Sequence, residues 1–183
     1  MIQKSELKVI LENEKELYGI GVISSLWGFI TNYNRYRIWK WLYSSRKYDY
    51  YSQFYHKNFI KKIIAIYYLR KKNKLGEKLG LDIGTRHIGK GFLIHHPGAT
   101  VINGRTIIGD NCILHGNNCI GNKGPQSSPC PIIGNNVEIG VGAKIIGGVT
   151  IADDIVIGAG AVVVDSFLEK GIIIGGVPAR KLS

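Results

Sequence analysis

The sequence predicts a mainly β fold, a coil of short parallel strands, behind a small α-helical N-terminal region. Two observations carry this. From Ile133 onward an aliphatic residue returns every six positions, and the first 80 residues lack that period. Glycine, at 24 residues, crowds after Gly76, so the composition changes where the period begins. The chain is accordingly read as a helical, basic region over 1–80 and a repetitive region over 81–183.

The period is the stronger sign. Ile133, Ile139, Ile145, Ile151, Ile157 and Val163 keep step. So do Ile102, Ile108, Leu114 and Ile120, and Ile88 with Ile94. A period of six is neither helical nor simple strand alternation. It fits three short strands per circuit, each turning a corner and aiming one aliphatic side chain inward. Circuits of this kind are stable only when stacked, because each buries its apolar side against the next. Glycine, Asn and Asp suit the corners, where positive φ costs them little. Asp110-Asn111, Asn135-Asn136 and Asp153-Asp154 are the expected corner pairs.

The register breaks twice. Ile94 to Ile102 takes eight residues, and the surplus holds His95-His96-Pro97-Gly98. Ile120 to Ile133 takes 13 where two steps would take 12. The span 121–131 has no usable anchor and contains Pro125, Pro129 and Pro131, so it reads as a loop that leaves the coil. Loops held by a rigid scaffold are where binding and catalytic groups concentrate.

Ahead of the coil, Ser5 to Leu17 reads as a polar helix. Trp27 to Tyr43 and Phe54 to Arg70 repeat aromatic and aliphatic residues at three-to-four spacing. Two or three helices are expected there, packed on the first circuit and covering its open edge.

The net charge of +11 is lopsided: from Arg35 to Lys78 there are 13 Lys or Arg, against Asp49 and Glu77 alone. Such a segment is attracted to an anionic membrane face, and a solvated helical face is the equal alternative. Nucleic acid is not expected, since no recognition motif accompanies the charge. The apolar stretch from Leu17 to Ile30 is 14 residues long, short of the roughly 20 that span a bilayer. The N-terminus opens polar, unlike a secretory signal. The three cysteines, Cys112, Cys119 and Cys130, are odd in number and form no CxxC. Reduced thiols in the cytoplasm, with Cys112 and Cys119 packed in the coil, are the expectation.

Residues 82–182 resemble the hexapeptide-repeat acyltransferases of the serine acetyltransferase type. The motifs that carry the resemblance are Phe92-Leu-Ile-His-His-Pro-Gly-Ala-Thr-Val-Ile-Asn103, Ile108-Gly-Asp-Asn-Cys-Ile-Leu-His-Gly116, Ile120-Gly-Asn-Lys-Gly124 and the closing Gly175-Gly-Val-Pro-Ala-Arg180. The closer likeness is to the branch found in polysaccharide gene clusters, including the colanic acid acetyltransferases. That branch has a similar His-His corner and a similar Cys-Pro before the next Ile-Gly.

The resemblance implies a left-handed parallel β-helix, a C3 homotrimer and acetyl-CoA as co-substrate, with no permanently bound cofactor and no metal. It places His96 as general base on the acceptor hydroxyl, a role contributing about 10²–10⁴-fold in rate. Asp82 is the candidate to hold the imidazole, although its spacing to Ile88 is one residue shorter than in serine acetyltransferases. The matching CoA positions are Gly121, Asn122, Gly140, Val141, Gly158 and Ala159, with Arg180 and Lys181, in the C-terminal segment 167–183, as phosphate partners. Asn122 stands where serine acetyltransferases commonly have glycine. His95, His115 and Cys130 are the candidates to face the acceptor.

The acceptor is read as a sugar hydroxyl on a surface-polysaccharide precursor, with L-serine as the alternative. Serine acetyltransferases have a much longer helical region and usually Arg-His-Pro in the loop, where this chain has Pro129-Cys130-Pro131. The tail with which they grip cysteine synthase does not follow Ser183. Two other classes stay open. A zinc lyase on a similar coil would use three histidines, here His95, His96 and His115, without that class's His-x4-His pair. A non-catalytic scaffold would keep the fold alone.

Overall fold

The structure is a computed structural model that describes residues 3–31, 33–125 and 128–183, with residues 22–25 and 29 described by their backbone alone. It divides into two compact units, Met1–Leu79 and Gly80–Ser183.

Among its described residues the first unit holds four helices where two or three were expected: α1 Lys4–Leu17, α2 Val22–Thr31, α3 Asn34–Ser52 and α4 Phe59–Leu79. The periodic stretch from Trp27 to Tyr43 is interrupted at Tyr33, whose backbone is extended (φ −58°, ψ 134°). The helix expected from Phe54 starts later. Lys57 N–H closes a turn onto Phe54 O at 2.9 Å. Asn58 then caps α4, its Oδ1 accepting the N–H of Lys61 at 2.9 Å, which satisfies one of the donors a helix start leaves open. The helix runs on to Leu79, nine residues past Arg70.

The α1–α3 packing is locked by a buried ion pair. Arg46 donates to both carboxylate oxygens of Glu14, from Nε at 3.2 Å and from Nη2 at 2.6 Å. Glu14 is 1% and Arg46 8% exposed, so Arg46 is not part of the surface charge. Among the described residues, no helix is long and apolar enough to cross a membrane.

The second unit is built of strands two or three residues long, in three sheets that the chain visits in turn. One sheet stacks β1 (Leu81–Ile83), β3 (Thr100–Ile102), β6 (Cys119–Gly121), β9 (Lys144–Ile146) and β12 (Val162–Val163). A second stacks β4 (Ile107–Ile108), β7 (Ile132–Ile133) and β10 (Thr150–Ile151), extended by bridges at Ile88 and Phe167. The third stacks β2 (Leu93–Ile94), β5 (Ile113–Leu114), β8 (Glu138–Ile139), β11 (Val156–Ile157) and β13 (Ile173–Gly175). All these pairings are parallel. β14 (Arg180–Lys181) folds back antiparallel on β13. The chain thus makes five circuits of three faces.

The anchors fill the interior. Leu114, Ile139, Ile145 and Val163 are fully buried, and Ile102, Ile108, Ile120, Ile133, Ile151 and Ile157 nearly so. A second inward column lies two residues before them, in Val137, Ala143, Val149, Ile155 and Ala161, with Thr100, Thr106, Cys112 and Asn118 in the earlier circuits. Each face therefore buries two side chains per circuit, not one. The corner pairs take the expected conformation, with Asn111, Asn136 and Asp154 at φ 56°, 55° and 61°. Their side chains form a ladder, Asn111 to Asn136 and Asn136 to Asp154.

The second register break also differs from expectation. β6 and β7 lie on consecutive faces of one circuit, so Ile120 to Ile133 is a single step with seven extra residues. The loop over 121–131 is inserted at that corner; its positions 126 and 127 lie outside the described residues.

Candidate functional site: a histidine corner on the coil

β2, β5 and β8 are neighbours, with Ile94, Leu114 and Ile139 in register. The residues that follow these anchors, His95, His115 and Gly140, therefore meet at one corner on consecutive circuits. The His95 and His115 rings stack with centroids 4.8 Å apart and planes 26° from parallel. The His96 ring is 6.2 Å from that of His95. His96 is exposed, and His95 and His115 are half-buried.

A carboxylate reaches His115. Glu138, the outward residue of β8, places Oε1 2.7 Å from His115 Nε2. The sequence reading omits this residue. Laying the circuits in register would have revealed it, because Glu138 is the one acid in the outward slots of that sheet's strands, beside a histidine on the previous circuit.

The backbone beneath is stapled from inside. The fully buried Asn118 accepts the N–H of Gly116 at 3.0 Å and donates to Gly140 O at 2.8 Å. Gly116 has φ +108°, and a Cβ there would lie 2.8 Å from the carbonyl oxygen of His96. Only glycine fits without pushing the His96 backbone outward. The corner is thus a rigid platform with an exposed imidazole at its edge. Among the described residues His96 makes no side-chain hydrogen bond, so its ring nitrogens face outward without a protein partner.

Asp82 sits exposed on β1, opposite Val101. Among the described residues no hydrogen bond or ion pair joins it to His96. No group of three His, Cys, Asp or Glu placed to hold a metal ion occurs among the described residues.

The candidate CoA positions fall at two separate edges. Gly140-Val141 and Gly158-Ala159 stack at the histidine corner, after β8 and β11. The circuits approach so closely there that a Cβ on Gly140 would be 2.6 Å from the Ala159 nitrogen. Gly121 and Asn122 lie at a different corner, after β6. Asn122 is committed to the loop: its Nδ2 donates to Gly124 O and Pro125 O, and its Oδ1 accepts from Asn103 at 2.8 Å. Arg105 secures the same loop, donating to Ser128 O at 2.7 Å. Half-buried Cys130 lies where the loop rejoins the coil. Lys123, Ser128 and Pro129 of the loop border a cleft of about 480 Å³ with Gly147, Asp165 and Ser166.

The two C-terminal cations are both paired. Arg180 reaches Asp165 at 3.2 Å, and Lys181 reaches Glu169 at 2.7 Å.

The chain is similar in fold to solved serine acetyltransferases. It covers 98% of itself and 70% of the soybean apoenzyme, with a TM-score of 0.73 and 22% identity. For a serine acetyltransferase in complex with CoA the TM-score is 0.71 at 20% identity, again over 98% of this chain and 70% of the other. The chain has the serine acetyltransferase fold. In sequence it is 40% identical over 88 residues to a protein named colanic acid biosynthesis acetyltransferase in Escherichia coli K12, spanning 48% of this chain and 54% of that one. It is 35% identical over 94 residues to a serine acetyltransferase of Synechococcus elongatus, spanning 51% of this chain and 38% of that one. The chain therefore spans about half or less of these relatives. No protein-family model matches it. The resemblance to serine acetyltransferases and the likeness to the colanic acid acetyltransferases are both borne out, at comparable strength.

Proposed function

We propose that this chain is an acetyl-CoA-dependent O-acetyltransferase that acetylates a sugar hydroxyl in surface-polysaccharide synthesis. The carrying observation is the corner itself, an exposed His96 beside the stacked His95 and His115 with Glu138 behind them. The likeness to the colanic acid acetyltransferase supports the sugar acceptor, as does a loop with Cys130 in place of an imidazole.

His96 takes the proton of the acceptor hydroxyl as its oxygen attacks the thioester carbonyl. The tetrahedral intermediate then collapses, the C–S bond breaks, and the CoA thiolate leaves and recovers the proton from His96. The products are the acetyl ester and free CoA. Asp82 is proposed to steady the His96 ring when substrate is bound, since catalytic hydrogen bonds often tighten only then.

The coil is proposed to be left-handed and to assemble as a trimer. The two edges that carry the CoA positions support this. They are separate in one chain, and a groove between adjacent copies can bring one edge of each together. Arg180 and Lys181 would exchange their acidic partners for CoA phosphates. The enzyme is placed in the cytoplasm, and residues 1–80 are read as its helical region. The second reading is serine O-acetylation, favoured by the fold and by the cyanobacterial relative.

The test is CoA release from acetyl-CoA with a panel of nucleotide-linked and lipid-linked sugars and with L-serine, beside His96→Ala. Release with a sugar, lost in the variant, is expected. Release with serine alone would move the reading to the second function. Full activity in His96→Ala would overturn the assignment of the base.

A further inference from the structure

The helical unit contains a cavity that the acyl-transfer reading does not use. It lies between α1 and α3, measures about 750 Å³, and is contained wholly in Met1–Leu79. That volume is within the range of small-molecule sites, roughly 300–1,000 Å³. Its walls are Leu7, Leu11, Trp39, Tyr43, Tyr50 and Tyr51. Its rim carries Lys4, Lys8, Lys15 and Lys47, with Glu12 the one acid.

The sequence builds this directly. Positions 4, 8, 11 and 15 of α1 fall on one helical stripe, while Leu7, Ile10 and Glu14 are buried. The stripe overlooks aromatic residues that α3 supplies at positions 39, 43, 50 and 51. Glu12 is engaged with Lys8 at 3.8 Å. Among the described residues no carboxylate pairs with Lys4, Lys15 or Lys47. The Trp39 Nε1 donor is buried and has no acceptor there either.

We propose that this groove binds a phosphate carried on an apolar body. Aromatic walls reward a ring or chain, and a lysine rim rewards a phosphate. A neutral apolar ligand would leave Lys4 and Lys15 without a counter-charge, and inorganic phosphate would leave the aromatic walls unused. A second copy of the same face is disfavoured by charge. Up to Leu79 there are 16 Lys or Arg and 6 Asp or Glu, so this unit carries +10 of the chain's +11. The inference stands independently of the acetyl transfer.

The test is calorimetric titration of the full chain with dodecyl phosphate below its micelle concentration, uridine diphosphate, neutral dodecyl maltoside and inorganic phosphate. Two variants accompany the wild type: Lys4→Gln with Lys47→Gln, which thins the rim, and Leu11→Trp, which fills the groove. Circular dichroism and sedimentation check their fold and assembly. Saturable binding of dodecyl phosphate or uridine diphosphate is expected, at least about tenfold tighter than either control. The rim variant should weaken it about tenfold, and Leu11→Trp should abolish it. Dodecyl phosphate alone would identify a chain-bearing phosphate, and uridine diphosphate alone a nucleoside one. Absence of saturable binding by both, equal binding of the maltoside, or binding unchanged in both variants would overturn the proposal. So would a Leu11→Trp variant that changes oligomeric state while no phosphate binds the wild type, since a second copy would then fill the groove.

Discussion

His115 Nε2 stands 2.7 Å from Glu138 Oε1, across two neighbouring circuits whose strands pair in register. A histidine that donates Nε2–H to a carboxylate has its tautomer and ring orientation fixed. Here the oriented ring is the one on which His95 stacks. Glu138→Gln should therefore disturb the corner without touching His96. The expected outcome is a rise of about tenfold in acceptor KM with kcat within about threefold, the pattern of lost positioning and not of lost chemistry. Steady-state kinetics with the acceptor found in the release assay checks it. An equal fall in kcat and kcat/KM would place Glu138 in the chemical step.

Cys112 gives a prediction about pH. Burial raises its thiol to about 11, and its Sγ donates to Gly134 O at 3.1 Å. The thiolate is the reactive form, so a maleimide at pH 8 should label Cys119 and Cys130 in the native protein and spare Cys112. A raised pKa means that the folded state keeps the proton longer than the unfolded chain. The stability this confers is complete below the unfolded value near 9 and is lost as pH rises toward 11. Urea unfolding from pH 8 to 11 should show a steeper loss in wild type than in Cys112→Ala. Parallel slopes would refute it.

The Glu14–Arg46 pair sits almost wholly out of water. Glu14→Ala leaves a buried guanidinium without its counter-ion, and that usually costs about 3–5 kcal/mol. Thermal unfolding followed at the tryptophans, all of which precede Gly80, should shift accordingly. Replacing both partners, as Glu14→Met with Arg46→Leu, should cost far less. A double variant no better than Glu14→Ala would mean that packing, not charge, holds this contact.

At the other end of the chain, Asp165 holds Arg180 in an exposed ion pair, and Arg180 is a proposed partner of CoA phosphate. Asp165→Asn should release the guanidinium and tighten acetyl-CoA binding. Exposed ion pairs are worth about 0.2–1 kcal/mol, so the gain should be at most about fivefold and should shrink with added salt. Titration of acetyl-CoA at low and high salt decides it. Weaker binding by the variant would show that Asp165 orients Arg180 instead of sequestering it.

What the sequence made legible follows from which signals are periodic. The anchors at Ile133 to Val163 are all aliphatic and evenly spaced, so the coil and its corner pairs could be read directly. The second inward column could not, because it mixes Thr, Cys, Asn, Val, Ala and Ile, which share no common hydropathy. The break at Tyr33 is a backbone conformation with no compositional mark, whereas the start of α4 is marked in the sequence by its capping residue Asn58. At the site, His95 and His96 were visible at a broken register, and His115 directly after the anchor Leu114. Glu138 lies 23 residues from His115, and only the stacking of circuits makes them neighbours. Arg46 looked like one more surface cation because its partner belongs to another helix.

The return of β14 against β13 has a consequence for growth. A stack of identical rungs is an open polymer end, on which a neighbouring molecule could lay its own first rung and extend the column without limit. In this chain the direction of the backbone reverses there, so the next parallel rung has no template on that face. The reversed segment also bears Arg180 and Lys181, held by Asp165 and Glu169. The antiparallel pairing thus caps the β13 edge of that one sheet.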